Sequence, residues 1–447
     1  MIMKRYFIAA VALLCAMGCS EQKPVKDYSW EKDLHERLLV DFNKNEEQIK
    51  DYIKRYIPDV SDEQMRAWEE SQALEFMMLD GQKRYFRHAG PNLFRIDKEC
   101  SIIKNGPTTG DPSGGEETTE ERHINQIMND VKSSGNHIVQ PKHFKITYTI
   151  TVDADAVPAG EIVRCWLPYP RTDHPRQRDV KLISTNLPDY KIAPEKYRHT
   201  TLYMEQPAVA GQPTVFTETF EYTICGEWHK IEADKIQPYD TSSKMYKEYT
   251  SEREKHIIFT PEMRALAAKL TEGETNPYLK AKKIFLWIND NFPWASSREY
   301  STIENIPEYV VKTGHGDCGQ VTLLFVTLCR ICGIPAHFQS GLVVHPDWWN
   351  LHDWGQVYLE PYGWVPVDQS FGVREYADSE EERDYFFGGV DSWRMIVNSD
   401  YGMPLYPKKI YPRSETVDFQ RGEVEWRGGN LYFPSWDYSL KMQLLEE

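Results

Sequence analysis

Gly314-His315-Gly316-Asp317-Cys318-Gly319-Gln320, running straight into Val321, Leu324, Phe325 and Leu328, is the stretch on which the reading of this chain turns. The apolar residues recur at helical spacing, so a buried helix begins at once after the glycine-flanked cysteine. Gly333-Ile334-Pro335 ends it. Cys318 therefore sits at or near a helix N-terminus. There the helix dipole and the free backbone N–H groups favour an anion, lower a thiol pKa and raise the reactive thiolate fraction. The same N–H groups can help bind an oxyanion. The competing reading is a buried structural thiol, the usual fate of a free cysteine. A glycine-flanked loop is an odd place for one.

A thiolate nucleophile needs a general base, and the base needs an orienting group. Downstream lies Leu351-His352-Asp353-Trp354-Gly355-Gln356-Val357-Tyr358-Leu359, a strand starting near His352. A turn at Pro361-Tyr362-Gly363 follows, then Gly363-Trp364-Val365-Pro366-Val367-Asp368. If 361–363 is a three-residue loop, Gln356 lies opposite Asp368. His352 is then on the same face but about 13 Å away, at roughly 3.3 Å per residue. A bulge, a twist or another register must close that gap. Taken singly, His352 reads as a strand-edge histidine and Asp368 as a turn carboxylate.

Taken in order, these blocks resemble the transglutaminase-like core of the papain-like superfamily. The residues are Gly316-Asp317-Cys318, Arg330-Ile331-Cys332-Gly333-Ile334-Pro335-Ala336, the strand from His352 to Leu359, and Gly363 to Asp368. The resemblance covers about 260 to 400. It implies an α+β core, a cysteine-bearing helix packed on an antiparallel sheet. It also implies roles: Cys318 as nucleophile, His352 as base then acid, Asp368 as the group that orients His352. One departure stands out. Such families often carry Asp-Pro-Thr where this chain has Asp368-Gln369-Ser370, which keeps the acid but alters the next turn.

The rest of the chain is organised around that core. Its 447 residues suggest about two or three domains. With 40% hydrophobic and 27% charged residues, the composition is globular. A net charge of −16 argues against nucleic-acid binding as the main role. No 18-residue apolar run is present, which excludes a polytopic membrane protein. Residues 20–137 read as helical, with Leu38, Phe42 and Ile49 at helical spacing, Pro58 as a break and Ser61-Asp62-Glu63 as a helix start. A flexible loop is expected at 106–121, rich in Gly, Pro, Thr and Glu. From Lys142 the period changes to two, and 138–235 reads as an antiparallel β domain, sandwich-like and loosely similar to the strand-rich domain often found before such cores. Residues 255–410 form the expected catalytic domain, its helices marked by Met263, Leu266, Ala267 and Leu270 and by Ala281, Ile284, Phe285 and Ile288. Strands reappear from Gly341, and 411–447 is a C-terminal extended segment.

The first residues read as an address. Lys4-Arg5 precedes an apolar run from Tyr6 to Met17, then Gly18-Cys19, with residues 1–19 as signal peptide. The end of the run resembles the lipobox of bacterial lipoproteins, with Ala16 where Leu is commoner. That resemblance implies a lipidated Cys19 and an exported protein tethered to a membrane of the cell envelope, on the periplasmic face or the cell surface. Of the remaining cysteines, Cys165 and Cys225 lie in strand-like segments and could pair in an exported chain. Cys329 and Cys332 read as core thiols in an apolar helix.

Other residues carry weaker signals. His315 and Asp317 either tune the thiol or cap its helix. Trp294, Tyr309 and Trp354 are groove-wall candidates, as is the aromatic pair Trp348-Trp349. His337, His345 and Asp347 show no metal-ligand spacing, and no cofactor is expected. The expected reaction is attack of the thiolate on an amide carbonyl through a thioester, on a peptide or protein substrate. Hydrolysis is favoured over cross-linking, because an exported protein meets bulk water. The alternative is a non-catalytic surface lipoprotein that binds protein or glycan on a degenerate core.

Overall fold

The computed structural model describes residues 29–107 and 116–445. The signal-like segment with Cys19, and residues 108–115 of the expected flexible loop, lie outside them. The N-terminal region opens with α1 (Trp30–Asp41), α2 (Glu46–Ile53) and α3 (Asp62–Glu70). Reciprocal capping boxes start α2 and α3, from Asn45 with Gln48 and from Ser61 with Gln64. The region is not wholly helical as expected. A hairpin, β1 (Phe76–Leu79) and β2 (Gln82–Tyr85), interrupts it before α4 (Ala89–Ile96), α5 (Lys98–Asn105) and α6 (Thr119–Ser134). The cause is Asp80-Gly81, both at positive φ (50° and 74°), the two-residue turn whose twist suits paired strands.

The β region contributes β3 (Ile138–Val152), β4 (Ile162–Pro168), β5 (Gln177–Thr185), β6 (Lys191–Ile192), β7 (Thr201–Pro207) and β8 (Thr214–Trp228). The helices α7 (Lys244–Tyr249), α8 (Pro261–Leu270), α9 (Pro277–Asn291), α10 (Ile306–Thr313) and α11 (Cys318–Ile331) follow. Next come β9 (Ala336–His345), β10 (Trp348–Leu359), β11 (Gly363–Val367) and α12 (Glu380–Arg383). The chain ends with β12 (Gly389–Val390), β13 (Arg394–Ser399), β14 (Glu423–Trp426), β15 (Gly429–Leu431) and β16 (Trp436–Leu445).

Two five-stranded antiparallel sheets face each other. One is ordered β12-β8-β3-β16, with β5 also on β8, and the other β15-β14-β4-β7-β6. Period-two patterning puts Phe144, Ile146 and Ile150 of β3 and Phe216 and Phe220 of β8 against Val163, Leu167 and Leu202 of the second sheet. The C-terminal segment is part of this unit: β16 pairs along β3 from Trp436↔Val152 to Leu445↔His143, and β14 pairs with β4. Cys165 and Cys225, which could have paired, are both free buried thiols.

The mixed core is a four-stranded antiparallel sheet, β11-β10-β9-β13, with α11 lying on it. α11 is buried along its whole length after Cys318, so its stripe cannot rotate without exposing Leu324, Phe325 and Leu328. That rigidity fixes where its first residue points. The hairpin pairs Leu359 with Gly363 and Gln356 with Pro366, not Gln356 with Asp368. The three-residue loop is therefore 360–362, one residue earlier than expected, and each β10 residue faces a partner two positions earlier on β11.

Candidate active site

Cys318 is the first residue of α11. Asp317 caps the helix: its Oδ1 accepts the Gln320 backbone N–H at 3.1 Å, and its own N–H donates to Gln320 Oε1 at 3.1 Å. Of the two roles expected for Asp317, capping is therefore present. Tyr300 donates its hydroxyl to the same Asp317 Oδ1 at 2.6 Å. The next position must be Gly319. A Cβ there would run into the Tyr300 hydroxyl and come within 2.7 Å of Asp353 Oδ2.

This register brings His352 to Asp368. The last ladder pair is Gly355↔Val367, so Asp368 falls one step beyond, level with Trp354. His352 is then only two residues off, about 7 Å along the strand, a span that two side chains cross. His352 Nε2 lies 2.7 Å from Asp368 Oδ2. Asp368 Oδ1 accepts the backbone N–H groups of Ser370 (3.1 Å) and Phe371 (3.0 Å). The Asp-Gln-Ser departure thus keeps a closed turn around the acid. Gln369 Oε1 also accepts the Thr322 hydroxyl at 3.2 Å, tying that turn to α11.

A third group completes the pair. Arg394 of β13 is fully buried and donates from Nη1 to Asp368 Oδ2. Its guanidinium lies 4.0 Å from the centre of the Phe371 ring, and Nη2 lies 2.9 Å from Asp391. Burial alone would raise the Asp368 pKa. The charges of His352 and Arg394, with the hydrogen bonds, outweigh it and hold the carboxyl below the usual carboxylate range.

The thiol is held differently. Cys318 Sγ donates to Asp353 Oδ2 at 3.3 Å. Gln420 Nε2 fixes that carboxyl, donating to Asp353 Oδ1 (2.6 Å) and to the His352 carbonyl (2.8 Å). Burial, then the charges of Asp353 and Asp317, push the Cys318 thiol well above its ordinary value. This corrects the expectation that the helix N-terminus leaves it depressed. A dipole equivalent to roughly half a charge does not offset two adjacent carboxyls and lost hydration. The carboxyls respond in turn. Burial raises Asp317 to about 7. Asp353 is raised by burial and by the charges of Asp418 and Asp317. Asp418 is raised to about 6 by burial.

Cys318 and His352 line one cavity of about 640 Å³. Its walls come from three parts of the chain: Arg87 and His88 from the N-terminal region, Trp294 to Tyr300 from the core, and Glu415, Asp418 and Arg421 from the loop before β14. The N-terminal region is anchored there. Asn92 and Ser296 exchange bonds at 2.9 Å, and Asp41 accepts the Glu299 N–H at 2.8 Å.

Among the aromatic candidates, Trp294 and Trp348 line the cavity. Trp354 is buried, donating to Gln339 at 2.8 Å. His315 is buried against Tyr309, its pKa lowered to about 4 by burial. Reasoning from sequence missed Tyr300, Asp353, Arg394 and Gln420. Arg394 left one signal, a charge inside the apolar run Trp393–Val397. Asp353 is adjacent to His352, but strand alternation argues against a place at the same site.

Residues 264–369 match the model of the transglutaminase-like superfamily. An uncharacterised protein of Haemophilus influenzae is 22% identical over 342 residues, covering 66% of this chain and 90% of that protein. Among solved structures, a candidate cysteine protease from Cytophaga hutchinsonii is 14% identical with a TM-score of 0.45, covering 69% of this chain and 93% of that one. The periplasmic domain of TgpA from Pseudomonas aeruginosa is 13% identical with a TM-score of 0.28, covering 54% and 91%. The residues that match the transglutaminase-like model thus carry a cysteine-headed helix packed on an antiparallel sheet, with all four sequence blocks inside or beside the matched stretch.

Proposed function

We propose that this chain is an exported cysteine-dependent amide hydrolase acting on a peptide-type substrate. The observation that carries the reading is the buried Arg394–Asp368–His352 chain ending on the cavity that Cys318 also lines. With Nε2 engaged by Asp368, Nδ1 is the ring nitrogen free for proton transfer. The thiol proton passes to His352 as sulfur attacks the amide carbonyl. The C–N bond breaks, and His352 returns the proton to the leaving amine. Water, deprotonated by His352, then cleaves the thioester and regenerates the thiol. An acceptor amine in place of water would give transfer. Hydrolysis is favoured because export exposes the site to bulk water.

Export itself rests on Lys4-Arg5, the apolar run to Met17 and Gly18-Cys19. Among the described residues, no helix is long and apolar enough to cross a membrane. Lipidated Cys19 would supply the tether.

The test is a screen of peptides and peptidoglycan fragments, reading released ammonia and new amines, with Cys318→Ala as control. Turnover by the wild type and none by the folded variant supports the reading. Equal turnover by both overturns it. The Cys318–Asp353 hydrogen bond favours a second reading, a protein- or glycan-binding module with an idle core. Partner binding that survives Cys318→Ala, with no turnover in the screen, selects that one.

A further inference from the structure

Among the described residues, one cluster of side chains outside the cavity has the composition of a metal site. We propose that His137, Glu227 and His229 bind a divalent transition metal of the zinc class. Glu227 and His229 stand two apart at the end of β8, so their side chains share a face. His137 lies between α6 and β3, and its carbonyl accepts the Trp228 N–H at 2.9 Å, which pins it beside them. One donor atom from each residue lies within 4.8 Å of the others.

The distances suit an ion. Tetrahedral bonds of about 2.0–2.2 Å hold donor atoms roughly 3.4 Å apart. His229 Nε2 and Glu227 Oε1 are at 2.8 Å, and the rings of His137 and His229 have centres 4.7 Å apart. Coordination would draw these donor atoms, already within 4.8 Å of one another, to that spacing.

Glu227 supplies an independent sign. It is 4% exposed, yet its Oε2 has no hydrogen-bond partner. The nearest cation is Arg176, whose Nε stands 3.9 Å away, beyond hydrogen-bond distance. The Arg176 Nη groups are directed instead at the carbonyls of Cys225, Asp391 and Arg394. A buried carboxylate oxygen left without a donor is costly, and a coordinated cation removes that cost.

The donor set selects the class of metal. Two imidazoles and one carboxylate match zinc sites with three protein ligands and an open fourth position. Hard oxygen-seeking ions such as calcium or magnesium want more oxygens than this. His137 is the exposed member, so solvent reaches the cluster from its side. Bound here, the ion would tie the first residues of β3 to the last of β8.

The experiment uses the full chain, stripped with chelator and titrated with zinc chloride by calorimetry, then with cobalt(II) followed by visible absorption. One zinc per chain is expected, with a thermal midpoint that rises with zinc concentration. His137→Ala, at an exposed position, should weaken binding at least about ten-fold, by analogy with losses seen on disturbing metal-site partners. The cobalt spectrum should show d–d bands without thiolate charge transfer. If His229→Ala misfolds, His137→Ala alone decides. Equal zinc affinity in wild type and His137→Ala overturns the proposal. So does a thiolate band, which assigns the metal to cysteine, or the lack of any stoichiometric binding.

Discussion

Arg394 and His352 share one acceptor, the Oδ2 atom of Asp368. The carboxylate bonded to the imidazole is therefore itself held by a fully buried guanidinium on β13, at the opposite edge of the sheet from β11. Arg394→Met should leave Asp368 buried without its counter-charge. Breaking a buried pair in this way typically costs about 3–5 kcal/mol. Urea denaturation should show a loss of that order, and the companion Asp368→Asn, Arg394→Met double variant should recover part of it.

The core should lose stability as pH rises from about 4 to about 7. Burial raises Asp317 from its usual 3.8 to about 7, so the folded chain holds a proton that the unfolded chain has released. That contribution is complete below the unfolded value and lost as pH passes the folded one. Asp317→Asn keeps a good helix cap and removes the titration. Its urea midpoint should depend less steeply on pH across this window. Asp41 and Asp418, both raised to about 6, retain part of the slope. An unchanged slope in Asp317→Asn would refute this account.

Alkylation by iodoacetamide reports the thiol directly. Because burial, Asp353 and Asp317 push Cys318 upward, the unliganded protein should react slowly near neutral pH and faster as pH rises. Mass spectrometry should place the label on Cys318. Rapid labelling already at pH 6 would mean a preformed thiolate–imidazolium pair instead.

On any substrate found, Cys318→Ala should abolish turnover. His352→Ala should cost at least the factor of about a hundred to ten thousand that acid–base catalysis supplies. Asp368→Asn should cost less than either, since it orients and stabilises the imidazolium. The losses should not add, because no second change has much to remove once the nucleophile is gone. Circular dichroism checks that each variant is folded.

Gly319→Ala should disturb the site although it adds a single methyl group. The new Cβ would meet the Tyr300 hydroxyl and Asp353 Oδ2, and α11 is too tightly packed to shift away. A cost of about 1–3 kcal/mol is expected for such overpacking, read from the urea midpoint. Alkylation of Cys318 should change with it, since the Asp353 contact must move.

The sequence by itself determined the elements whose signals are local. Glycine-flanked Cys318 ahead of Val321, Leu324, Phe325 and Leu328 specified the helix and put Cys318 at or near its start. Alternation along Phe144 to Val152 specified the long strand of the β region, and the four ordered blocks pointed to the core. Even the N-terminal hairpin is legible at Asp80-Gly81, a turn dipeptide inside an otherwise helical pattern. Tertiary structure alone decided how these parts meet. A three-residue hairpin loop placed one residue earlier than expected, at 360–362, puts Asp368 within reach of His352. Arg394, Asp353 and Gln420 come from strands and loops far apart in the chain, and no local period marks them. The thiol pKa reversed direction for the same reason. A helix dipole is a property of local sequence, whereas burial and facing carboxyls exist only once distant segments have packed together.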